Sequence, residues 1–140
     1  MSAVTAGKLL LGVASVAVVA AVIAAVALEP PHLKRQYRLD DHRASDLAAI
    51  NRAVSEYWKR HSALPLSLAA LAAEPGMDIE HKDPETAIAY EYEVTGKATF
   101  RLCANFAQDS RAALRRATEF EWAHSSGRQC FDRVAKNKAE

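Results

Sequence analysis

Residues 89–106 read AYEYEVTGKATFRLCANF, and this stretch decides the fold. Tyr90, Tyr92 and Val94 alternate with charged residues, and Phe100, Leu102, Ala104 and Phe106 form a second alternating run. Successive side chains of a strand point to opposite faces, so each run presents one apolar face. Thr95-Gly96-Lys97 between them has turn composition, and the spacing predicts a β-hairpin over 89–106.

Upstream lies the partner for that face. Leu47, Ile50, Val54, Tyr57 and Trp58 recur at steps of three and four, the repeat of one helical face. Asp46, Arg52, Glu56, Lys59 and Arg60 fall on the opposite side. The helix is expected to begin near Asp40 or Asp41, either able to cap it, and to run to about His61, ahead of the break at Leu64-Pro65. Ser67 can then cap a short helix through Leu68, Leu71 and Ala72, which Pro75-Gly76 stops. The polar stretch 78–86, which includes Pro84, reads as a loop. Residues 110–124 have a helix-compatible composition, and 129–134 read as a third strand that brings Cys130 to Cys103. The expectation is an α+β domain: an amphipathic helix on a small antiparallel sheet, with Leu47, Ile50, Val54, Tyr57, Trp58, Tyr90, Tyr92, Phe100 and Leu102 as its core.

The N-terminus has a different character. Leu9 to Leu28 is a run of Ala, Val, Leu and Ile broken only by Gly12 and Ser15. As a helix it would be ~30 Å long, the thickness of a bilayer's hydrocarbon core, which predicts a single transmembrane anchor over 1–29 and a second domain over 30–140. A cleaved signal peptide is the other reading, since Lys8 gives a charged start and Ala25-Val26-Ala27 a small-residue cleavage site. Ala17, Ala21 and Ala25 form a small-residue stripe on which a partner helix could pack. Lys34, Arg35, Arg38 and Arg43, just after the run, argue for a cytoplasmic domain by the positive-inside rule, whereas a cysteine pair argues for the opposite side.

The chain has 18 Lys+Arg and 17 Asp+Glu, and only Lys8 precedes the apolar run. A balanced charge lacks the basic excess of a nucleic-acid binder. Cys103 and Cys130 are either one disulfide or two buried thiols. None of His32, His42, His61, His81 and His124 lies three or four residues from another, the spacing that places two ligands on one helical face. Cys103 with His124 lacks an oxyanion-hole motif, Asp83 and Glu85 lack the spaced series of a calcium loop and read as a solvated turn, and the five glycines are isolated. No enzyme, cofactor, metal site or small-molecule substrate is expected.

The order of short motifs carries a resemblance. Asp46-Leu47-Ala48-Ala49-Ile50, Ala53-Val54-Ser55-Glu56-Tyr57-Trp58, Leu64-Pro65-Leu66-Ser67-Leu68, Asp83-Pro84-Glu85-Thr86, Tyr90-Glu91-Tyr92 and Phe100-Arg101-Leu102-Cys103-Ala104 follow one another behind an apolar N-terminus. This resembles the pilin-like proteins related to the major pseudopilin of type II secretion systems. It also resembles small membrane-anchored bacterial proteins sharing that soluble domain, a group whose C-terminal signature is similar to Trp122-Ala123-His124, Gly127-Arg128 and Cys130-Phe131. A recognisable prepilin peptidase motif is absent: Gly7 is followed by Lys8, and the fifth residue after Gly7 is Gly12, not glutamate. The resemblance implies a periplasmic pilin-like domain at the bacterial inner membrane. The function expected from it is a non-catalytic accessory or structural subunit of an envelope complex, acting through protein–protein contacts. The alternatives are a pseudopilin-like filament subunit and a secreted binding domain released by signal cleavage.

Overall fold

The computed structural model describes residues 13–24, 31–110 and 121–135. The chain divides into two compact units, Met1–Arg35 and Gln36–Glu140. Within the first, residues 13–24 are helical, and Val13, Val16, Val18, Val19, Val22 and Ile23 are all more than half exposed.

The spanning helix expected over Leu9–Leu28, and with it the single-pass membrane assignment, is corrected. Among the described residues no helix is long and apolar enough to cross a membrane. The helical stretch 13–24 has twelve residues. At 1.5 Å per residue those twelve described residues account for about 18 Å, against the ~30 Å of a hydrocarbon core. Ala17 and Ala21 of the small-residue stripe are exposed, and Ala25 lies outside the described residues.

Helix α1 spans Pro31–His61. It begins nine residues before the expected cap at Asp40, because Pro31 suits a first helical turn, where the missing N–H has no partner to lose. Lys59, Arg60 and His61 fill its last turn, where positive charge favours the carbonyl end. Ser62 then turns left-handed, at φ 52°. Helix α2 spans Leu68–Ala72, with Ser67 as the expected cap: its hydroxyl accepts the Ala70 amide at 3.1 Å.

Strands β1 (Glu91–Val94), β2 (Thr99–Phe106) and β3 (Gly127–Val134) form one antiparallel sheet in the order β1-β2-β3. The hairpin is in the expected place, with Val94 opposite Phe100 and the Thr95 and Gly96 amides both donating to the Thr99 carbonyl. Strand β3 begins at Gly127, two residues before the expected start, with Gly127 at a left-handed φ of 94°. Cys103 sits opposite Cys130 in the β2–β3 register, and the two are disulfide-bonded.

One face of the sheet meets the α1 stripe. Leu47, Ile50, Val54, Phe100 and Leu102 are completely buried, Tyr90 is buried, and Tyr57, Trp58 and Tyr92 pack on them half-buried. Phe106, Trp122 and Phe131 extend the core, with Phe131 edge-on to both other rings. The expected helix over 110–124 falls largely outside the described residues.

Candidate functional site

The α1 stripe at positions 54, 50 and 47 continues toward the N-terminus through Arg43 and Asp40, at the same alternating steps of four and three. Both are buried, at 4% and 3% exposure. A buried charge is costly unless it is paired, and here each one is.

The Arg43 guanidinium donates from Nε to Asp83 Oδ2 at 2.5 Å, from Nη2 to Asp83 Oδ1 at 3.2 Å, and from Nη1 to Asp40 Oδ1 at 2.9 Å. Its Nη2 also reaches Glu85 Oε2 at 3.1 Å, at the exposed rim. Such a planar fork matches a carboxylate edge-on. The carboxylates in turn hold backbone. Asp83 Oδ1 accepts the amides of Glu85 and Thr86, both at 2.9 Å, which closes the 83–86 turn. Asp40 accepts the amides of Ala107 at 3.0 Å and Gln108 at 2.8 Å, just beyond β2. The residue expected to cap a helix therefore sits within one and caps the exit of a strand.

Asp46, expected on the solvent side, is buried and accepts the Tyr90 hydroxyl at 2.7 Å. The reading of Asp83 and Glu85 as a solvated turn is corrected for Asp83, which is 9% exposed and closed over by Arg43. Burial alone would raise the Asp83 carboxyl. The hydrogen bonds from Arg43 and from the Thr86 and Glu85 amides, with the Arg43 charge, outweigh it and hold it at about 2. Asp46 is raised, chiefly by burial, against the Tyr90 hydrogen bond and the nearby His42. Tyr90 is raised strongly by burial and by donating to Asp46, so the phenol, neutral at pH 7 in any case, resists ionisation further. Arg43 is raised above its ordinary value by Asp83 first, against burial.

An open groove of about 380 Å³ lies over this cluster, between Thr86, Ile88 and Tyr90 on one wall and Ala104, Asn105 and Phe106 on the other. The Arg43 donors beneath it are directed at the Asp40, Asp83 and Glu85 carboxylates. The arrangement locks two loop segments to a helix.

A second constellation occupies the other face of the sheet. Glu91, Cys103 and Cys130 form one row across the three strands, Glu91 opposite Cys103 and Cys103 opposite Cys130. Arg128 clasps Glu91 through Nε at 2.9 Å and Nη2 at 2.6 Å, and the same Nη2 lies 3.5 Å from Cys103 Sγ. Cys103 is 3% exposed, while Cys130 is part-exposed. Arg101 joins Asp132 at 2.8 Å in the next row.

No family model, curated protein or solved structure matches the chain. Of the residues singled out in the sequence, the structure brings together the cysteine pair and the core. Cys103 and His124 do not form a nucleophile–base pair: Cys103 is bonded to Cys130, and His124 is stacked on Phe106 at 3.6 Å with Nδ1 2.9 Å from the Trp122 carbonyl. The Arg43 cluster escaped the sequence reading. Its signal was present, because charges at 40 and 43 prolong an apolar stripe in phase, which a solvated helix end has no reason to do.

Proposed function

We propose that this chain is a non-catalytic subunit of a bacterial cell-envelope assembly, with its pilin-like domain in the oxidising periplasm, acting through protein–protein contact. The carrying observation is the Arg43 cluster, in which the buried ionisable groups are directed at one another and at backbone amides. Catalytic sites keep such groups turned toward a substrate. A disulfide between neighbouring strands suits an oxidising compartment. A long helix backing an antiparallel sheet is the arrangement that the pilin-like resemblance implies.

The contact surface in this reading is the helical stretch 13–24. Six aliphatic side chains there are 57–70% exposed, an apolar display that monomeric proteins seldom carry without a partner.

The test is purification of the tagged full-length chain from mild detergent extracts, beside a Val16→Asp, Val19→Asp variant. A stoichiometric partner retained by the wild type and lost by the variant is the expected result. A clean monomer in every extract, or a partner bound equally by both, overturns the reading.

A further inference from the structure

The Cys103–Cys130 bridge has two unlike ends. Cys103 lies on the central strand with β1 beyond it, and the Arg128–Glu91 pair stands on that side. Cys130 lies on β3, and among the described residues no strand pairs with the outer edge of β3. Thiol–disulfide exchange proceeds by attack of a thiolate on one sulfur while the other leaves. The row Glu91–Cys103–Cys130 runs across the strands, so an attacker in line with the bond reaches Cys130 from the open edge. In-line approach to Cys103 meets Glu91, the first residue of β1, and the guanidinium it clasps, at the end of the groove that Glu91 and Cys103 also line.

Chemistry favours the same direction. A thiolate leaving on Cys103 is released beside an N–H of Arg128 Nη2, 3.5 Å away, and cationic donors stabilise thiolates. Cys130 is the more accessible of the two.

We propose that the bridge is a site of thiol–disulfide exchange with a dithiol oxidoreductase, attacked at Cys130 and opened with Cys103 as the leaving thiolate. The attacking thiolate gives its electron pair to Cys130 Sγ and forms an intermolecular disulfide. The Cys103–Cys130 bond breaks, and its pair departs on Cys103 Sγ. The oxidoreductase's second thiol, losing its proton, then attacks its own bonded sulfur and releases Cys130 as a thiolate. Two electrons pass from the dithiol, which ends as a disulfide, to the cysteine pair. Arg128 is the positioning residue, and Glu91 restrains it by taking up part of its charge.

The experiment incubates the oxidised full-length chain, under native conditions, with thioredoxin whose second active-site cysteine is replaced by serine. The trapped adduct is mapped by peptide mass spectrometry. The expected adduct is on Cys130, its formation slowed about 3- to 10-fold by Arg128→Ala and accelerated by a similar factor by Glu91→Gln. Both variants alter exposed side chains, and either one alone tests the role of Arg128. An adduct on Cys103, an adduct only in urea, or rates unchanged in both variants overturns the proposal.

Discussion

Arg43 and Asp83, forty residues apart, meet through two hydrogen bonds with both side chains buried. Removing one partner of such a pair strands the other's charge. Arg43→Met should therefore destabilise the domain by about 3–5 kcal/mol, read from urea denaturation. Arg43→Lys should recover less than half of that loss, because an ammonium cannot present the fork that faces Asp83 edge-on.

Acid should unfold the domain through Asp83. Its folded carboxyl is held at about 2 against an ordinary 3.8, so the unfolded chain takes up the proton first. The contribution is fully present above the ordinary value and is lost as pH falls through the window toward 2. Asp46 has the opposite sign: its raised folded value means that protonation favours the folded state. Urea midpoints measured from about pH 5 down to 2 should fall, less steeply in Asp83→Asn and more steeply in Asp46→Asn.

Tyr90→Phe deletes the hydroxyl that satisfies Asp46 and leaves a buried carboxylate short of a donor. The expected loss is about 1–3 kcal/mol. In a double-mutant cycle with Asp46→Ala, the two changes should couple by about 0.5–3 kcal/mol, whereas additivity would mean that the pair contributes nothing beyond its separate parts.

The disulfide closes a loop between positions 27 apart in sequence. The chain-entropy relation gives about 3.5 kcal/mol for such a loop. Replacing both cysteines with serine should lower stability by up to that amount, and reductant should have no further effect on the double variant's melting temperature.

The sheet was legible because period-two alternation at Tyr90–Val94 and Phe100–Phe106 has no helical interpretation, and Thr95-Gly96 supplies the turn. Helix α1 was legible from Leu47 onward, where apolar residues mark the stripe. Its first nine residues were not, because Asp40 carries a capping side chain whose actual partners, Ala107 and Gln108, lie 67 and 68 positions away. Local rules cannot register such a distance. The same holds for Asp46, read as solvent-facing until Tyr90 supplies its donor. At the N-terminus, apolar length alone suggested a spanning helix, whereas among the described residues no helix is long and apolar enough to cross a membrane.

The amides of Glu85 and Thr86 rest on Asp83, those of Ala107 and Gln108 rest on Asp40, and both carboxylates rest on Arg43. Four loop amides from two separate segments thus share a single fastener. Surface loops ordinarily fray on their own, each with its own low opening energy. Here the 83–86 turn and the exit from β2 belong to one cooperative unit with α1. Their protons should exchange with solvent on one common clock.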